Sequence, residues 1–315
     1  MSLRPFLITL AVVCQLTSPK LVAAQGEGEV FAVKFATESL EQRMSVIANG
    51  AHPQAWLACN YVGADQPNPG TLYFCSTLED FSRKLQFSPP EWFNAVAQHH
   101  LSQVVVWVKP EQSLAGVQQV LNHEIMHWAL FSLPPQVSRQ IPVWLHEGLA
   151  EMWADRGLTS TYQVSLAWES VNNRLPHLSS YKDSFGNEPY RAAVGYALAK
   201  EFVVSLRNKH GDELFKKIFS SMRAGRTFDQ ALIDYTGLSV VSHEQILRTN
   251  LKSWWRVVQE IYPHFFLLVV ALILGLVPFV QSRRRLRQQV LHSEWQREED
   301  ALDIWAETSD NTQDE

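Results

Sequence analysis

Cysteine is scarce in this chain: three residues in 315, at positions 14, 59 and 75. That excludes a small scaffold held together by many disulfides. An excess of either charge is missing too. With 27 basic and 32 acidic residues the net charge is −5, so nothing points to a nucleic-acid partner. No segment repeats internally, and the roughly 235 residues between the two ends are enough for one core. The most telling absence is local: from Ile261 to Ser282 there is no Asp, Glu, Lys or Arg.

About 20 mostly apolar residues cross a hydrocarbon core, and the run Phe265 to Val280 meets that requirement. A buried core helix is the alternative, but the length and the arginines that follow (Arg283, Arg284, Arg285 and Arg287) speak against it. Arginines just past a span mark its cytoplasmic side. Trp254, Trp255 and Tyr262 lie at the other end, where an aromatic belt would sit. The first 24 residues carry Arg4, an apolar stretch from Phe6 to Leu16, and Val22-Ala23-Ala24 before Gln25. That is the pattern of a secretory signal peptide, with an uncleaved anchor as the alternative. The expected organisation is a signal peptide (1–24), an extracytoplasmic domain (25–260), a transmembrane helix (261–282) and a cytoplasmic tail (283–315). Residues 294 to 315 hold nine acidic residues and one basic residue, Arg297, as a solvated tail would. Trp295 and Trp305 leave room for a short partner-binding helix.

Removal of the signal peptide takes Cys14 with it and leaves Cys59 and Cys75 as an even pair. In an oxidising compartment the expectation is a disulfide across the polar segment Asn60–Gly70, contributing about 3 kcal/mol in the loop-entropy model. Two free thiols or extra metal ligands are the alternatives, though neither cysteine has a partner at metal-ligand spacing.

Val30–Phe35 and Thr71–Cys75 read as strands, and Leu78–Leu85 as a short helix capped by Thr77. Leu101 to Pro110 is the strongest strand signal, β-branched and stopped by proline. His99 and His100 before it read as loop residues rather than ligands. From Ala115 onward the pattern is helical almost to the span, with polar breaks at Asp183–Pro189 and Ala224–Thr227.

The chemistry resides in Asn122-His123-Glu124-Ile125-Met126-His127-Trp128 and, downstream, in Trp144-Leu145-His146-Glu147-Gly148-Leu149-Ala150-Glu151. On a helix, residues four apart share a face, so His123 and His127 can grip one ion. A catalytic zinc takes three protein ligands and keeps one position for water. His123, His127 and Glu147 fill three positions, and Glu124 is placed to take the proton from the water. Chance occurrence on a solvated helix is the alternative reading. The apolar flanks Val117, Val120, Leu121 and Trp128 to Phe131 argue instead for a half-buried helix. His146 would point about 100° away from Glu147, as a rim residue rather than a fourth ligand.

With those residues in view, the chain resembles the gluzincin metallopeptidases, most closely the peptidase MA-like family and more distantly the aminopeptidase N family. The resemblance runs from about Leu72 to about Leu251. It implies an α+β, gluzincin-like domain, with a small sheet followed by a mainly helical part, and a peptide or protein substrate. It also implies one Zn2+ per chain on His123, His127 and Glu147, with Glu124 as general base. Nineteen residues separate His127 from Glu147, close to the family's usual gap. By the same resemblance Glu151 orients a ligand imidazole; an exposed helix charge is the plain alternative. An oxyanion donor is expected from Tyr196, which leads a helical run ending at His210-Gly211, with Tyr190 as runner-up and an ordinary core tyrosine as the alternative for either. Gluzincins pair the extended substrate with an edge strand before the metal helix, although Val104–Val108 is apolar enough for an ordinary buried strand. No Gly-x-Met-Glu-Asn-like segment occurs, which tilts the expectation from an aminopeptidase towards an endopeptidase. The expected protein is a membrane-anchored zinc peptidase of the bacterial inner membrane, with its catalytic domain in the periplasm. The competing reading is a non-catalytic, membrane-tethered binding protein that keeps the fold.

Overall fold

The computed structural model describes residues 28–89, 93–154, 160–186, 188–253, 265–285 and 287. The expected signal peptide, the acidic tail and the aromatic residues Trp254, Trp255 and Tyr262 lie outside the described residues.

A β-strand, β1 (Phe31–Phe35), leads into a long helix, α1 (Glu38–Val62). Thr37 starts α1 by accepting the Leu40 N–H, and acidic Glu38 and Glu41 sit in its first turn, where the helix dipole favours them. Gly63, at φ 74°, ends it in the left-handed conformation that glycine adopts without penalty. Then come β2 (Gly70–Cys75), α2 (Leu78–Leu85), β3 (Ala95–Gln98) and β4 (Gln103–Trp107). Thr77 caps α2 as expected, accepting from Asp80 N. His99 and His100 form a single 3-10 turn between β3 and β4.

The four strands make one sheet in the order β1-β2-β4-β3. β1 pairs with β2 and β2 with β4 in parallel, and β3 runs antiparallel to β4. The strong strand signal therefore belongs to an interior strand: Val104, Val105 and Val106 are completely buried between two neighbours. β1 and β3 are the two edges of this sheet, and the short Ala-Val-Ala-Gln run of β3 carries little strand signal of its own.

Alternation along the strands assigns the two faces. Tyr73, Cys75, Val96, Val105 and Trp107 pack with Phe81 and Leu85 of α2. Phe31 and Phe74 belong to the other face, where Phe31 meets Trp128. The expected disulfide is not formed: Cys59 and Cys75 are both free, buried thiols. Cys59 lies on α1, hydrogen-bonded to Ser132, whereas Cys75 points to the α2 side of the sheet. An even count of cysteines carries no information about which face of a sheet each one reaches.

The remainder is helical: α3 (Leu114–Phe131), α4 (Pro135–Ser138), α5 (Val143–Trp153), α6 (Ser160–Val171), α7 (Pro189–His210), α8 (Leu214–Arg223), α9 (Phe228–Thr236) and α10 (Val240–Leu251). This is the small sheet with a mainly helical body expected from the sequence. α3 packs on α1 and on α5, and α5 packs on α7. Gly148 permits that last contact, since a Cβ there would lie 2.6 Å from the Ala199 carbonyl oxygen. Leu251 to Glu315 form a separate unit. Among its described residues one helix, Phe265–Arg285, is long and apolar enough to cross a membrane.

Candidate metal centre

α3 begins at Ser113, whose hydroxyl accepts the Gly116 N–H, and it contains neither proline nor an internal polar break. One face of this helix carries His123, Glu124 and His127, all buried at 7–9 % exposure. Three uncovered polar groups on a core helix would be costly unless each found a partner. α5, which starts after Pro142, supplies partners for the two histidines, because its first turns bring His146, Glu147 and Glu151 against α3.

The inner nitrogens converge. His123 Nε2 and His127 Nε2 are 3.1 Å apart, and Glu147 Oε2 lies 3.3 Å from the first and 3.5 Å from the second. The point equidistant from these three atoms is about 1.9 Å from each, close to the bond length of roughly 2.0–2.2 Å that zinc makes with nitrogen and oxygen. Two imidazole lone pairs and a carboxylate oxygen facing one point call for positive charge there. The donor set therefore fits a zinc ion.

The electrostatics agree. Burial disfavours a charged His123, but the Glu147 and Glu151 carboxylates outweigh it and push the pKa up to about 10. Burial pushes the Glu147 carboxyl up, yet His127 and His123 hold it well below the usual carboxylate range. Behind this inner layer, Glu151 Oε1 lies 3.2 Å from His123 Nδ1. His146 Nδ1 lies 2.6 Å from His127 Nδ1. His146 is half-buried rather than on an open rim, and it touches the back of a ligand candidate instead of joining the three converging atoms. Burial and the neighbouring His127 bring its pKa down to about 3.

Glu124 points elsewhere on the same face: its Oε2 accepts the backbone N–H of Ala97 at 2.7 Å. Trp107 N donates to Asn94 O across the β3–β4 ladder. By antiparallel alternation Ala95 and Ala97 therefore turn their own N–H groups to the free edge. The Glu124 carboxylate and the free sheet edge thus share one location.

Tyr196, on α7, is half-buried. Its hydroxyl pKa is raised by burial and then by the charges of Glu147, Glu151 and Glu124, so it lies within their field. Its ring stacks on Phe185 at 4.3 Å between centroids, and Phe185 stacks on Tyr181 at 4.7 Å. Tyr190 is different: it is 46 % exposed and donates its hydroxyl to Glu169. Residue reading missed the His146–His127 contact, the Ala97 donor and the Phe185 support. The adjacency of His146 to Glu147 was the only signal for the first, and no local signal marks the other two.

A buried pair of histidines and a carboxylate, with a second carboxylate beside them on a helix, define a candidate metal centre. The chain belongs to the peptidase MA superfamily, whose family model matches residues 54–253, well over half of the chain. The match includes every site residue above and reaches upstream of Leu72 into α1. Comparison with curated proteins finds no match. The domain is thus that of a peptidase family, and a peptide or protein is the substrate such a domain implies.

Proposed function

We propose that the protein is a membrane-anchored, zinc-dependent endopeptidase acting in the bacterial periplasm. The observation that carries this reading is the convergence of His123 Nε2, His127 Nε2 and Glu147 Oε2 at 3.1–3.5 Å beside Glu124. These three residues would hold the ion. Zinc supplies Lewis-acid chemistry at such a site, bringing the pKa of a water down towards neutrality.

Glu124 accepts the proton of the attacking water and returns it to the departing amine. Its hydrogen bond from Ala97 fixes the direction in which the carboxylate points. The substrate backbone pairs with the outward N–H and C=O groups of Ala95 and the outward C=O of Ala97 on β3, the Ala97 N–H being engaged by Glu124, which aligns the scissile bond beside Glu124. The Tyr196 hydroxyl, kept protonated by burial and by three carboxylates, donates to the developing oxyanion. Glu151, whose Oε1 lies 3.2 Å from the outer nitrogen of His123, would keep a proton there and leave Nε2 as the ligand atom.

The apolar helix supports a membrane anchor, and Arg283, Arg284, Arg285 and Arg287 after it support a cytoplasmic end there by the positive-inside rule. The deciding experiment is cleavage of a panel of unfolded proteins by the purified chain, with and without chelator, alongside its zinc content. Chelator-sensitive internal cleavage with one zinc per chain is the expected result. Zinc bound without cleavage of any substrate would leave a non-catalytic binding protein in its place.

A further inference from the structure

We infer that His146 is a positioning residue: its Nδ1 accepts a hydrogen bond from the Nδ1–H of His127 and thereby fixes which nitrogen of His127 faces the ion. The inference rests on the zinc reading above.

The two Nδ1 atoms are 2.6 Å apart, and the ring planes differ by only 25° with centroids at 4.8 Å. That leaves about 1.1 Å on each side between nitrogen and centroid, roughly the radius of an imidazole ring, so the contact runs edge to edge along the ring planes, as an N–H···N bond requires. One proton lies between the two nitrogens, because two would collide and none would set lone pair against lone pair. Its owner follows from the other end of His127. Nε2 faces His123 Nε2 at 3.1 Å and Glu147 Oε2 at 3.5 Å, and as a ligand atom it must present a lone pair. The proton of neutral His127 is therefore on Nδ1, His146 Nδ1 is the acceptor, and His146 carries its own proton on Nε2.

Chain geometry explains the arrangement. Consecutive residues on a helix point about 100° apart, so Glu147 reaches the inner side of His127 while His146 reaches its outer side. The ring of Phe131, from the last turn of α3, packs at 5.0 Å against His146. One turn of α5 thus delivers a ligand and the group that orients a second ligand. The two imidazoles have unlike supports: a carboxylate, Glu151, lies behind His123, and a neutral imidazole lies behind His127.

The test measures equilibrium zinc affinity of the full chain in detergent, by competition with a chromophoric chelator, for wild type, His146→Leu and His146→Asn. Loss of an orienting partner costs roughly 10- to 100-fold in metal affinity, so His146→Leu should weaken binding by that factor. His146→Asn, whose amide oxygen can accept the same proton, should recover most of it. A direct readout accompanies the affinities: 15N spectra of the zinc-loaded wild type should show His127 protonated at Nδ1, with scalar coupling to the Nδ1 of His146. Unchanged affinity in His146→Leu, equal weakness in His146→Asn, or a His127 proton on Nε2 would each overturn the inference. A wild-type chain that binds no zinc at all would instead overturn the metal reading. In that case coupling between the two Nδ1 atoms in the metal-free chain still decides whether the hydrogen bond exists.

Discussion

At the scale of single residues the site is a set of charges held at distances they would not choose in water. Glu124 and Tyr196 should fail differently when altered. Glu124→Gln keeps size and hydrogen bonding but accepts no proton, so zinc should stay bound while turnover nearly vanishes. Tyr196→Phe removes one oxyanion donor, which typically costs about 10²–10³ in kcat and should leave KM almost unchanged, since the bond matters once charge develops. A kcat near wild type for Tyr196→Phe would remove it from the mechanism, and near-normal turnover in Glu124→Gln would sink the peptidase reading. A pH dependence also follows. With its pKa at about 10, His123 holds a proton at neutral pH in the metal-free protein, and a ligand imidazole must give that proton up. Zinc affinity should fall as pH drops below about 10, by up to tenfold per unit for the one displaced proton. Glu147, held well below the usual range, adds no second proton near neutrality. Calorimetry in two buffers of different ionisation enthalpy should count about one proton released per zinc near pH 7; a count of zero would contradict the His123 assignment.

Elements matter because the site is divided between α3, α5, α7 and β3, and each pair must approach closely. α5 and α7 approach at Gly148, where an added Cβ would meet Ala199 O at 2.6 Å and Val203 Cγ2 at 2.9 Å. Gly148→Ala should therefore cost about 1–3 kcal/mol, as overpacked sites do, and should move Glu147 relative to Tyr196. Thermal unfolding reads the first effect and kcat the second; wild-type stability would mean the helices part without cost. The sheet separates the thiols, Cys59 with α1 and Cys75 with α2. Burial pushes the Cys59 thiol up to about 12 and the Cys75 thiol up to about 11, from an ordinary value of 9.0. Raised folded values mean that the stabilising contribution is intact below pH 9 and is lost as pH climbs through 11 and 12. Alkylation at pH 8 should leave both cysteines unmodified in the native protein and label both in denaturant without reductant. Recovery of a Cys59–Cys75 linked peptide would show the disulfide after all.

For the molecule as a whole, the issue is which side of a membrane the peptidase domain faces. The apolar helix Phe265–Arg285 has a mean hydropathy of 2.5 and no burial within the protein, so hydrocarbon is the environment that suits its surface. Arginines at its far end favour a cytoplasmic tail. A reporter active only outside the cytoplasm should work when fused before Ile261 and fail when fused after Arg287. The reverse pattern would overturn the periplasmic assignment.

Much of this was legible locally. His123, Glu124 and His127 share a face because a helix repeats every 3.6 residues, and neighbours in sequence alone set that. The apolar run at 265–280 and the Thr77 cap are local too, as is the interior character of Val104–Val106. The sequence by itself therefore determined the shared face of His123, Glu124 and His127, the strand-then-helix order and the membrane-length helix, whereas Glu147 joins the two histidines only through the packing of α5 on α3. Tertiary structure alone decided the rest. Four residues of β3 become an edge of the sheet only because β4 pairs with them, and Glu124 meets Ala97 only because α3 packs beside that edge. His146 meets His127 through the packing of α5 on α3, at a separation of 19 residues. Cys59 and Cys75 stay apart because strand alternation and two different helices put them in different parts of the core. Such contacts depend on the relative placement of whole elements, which no short stretch of chain encodes.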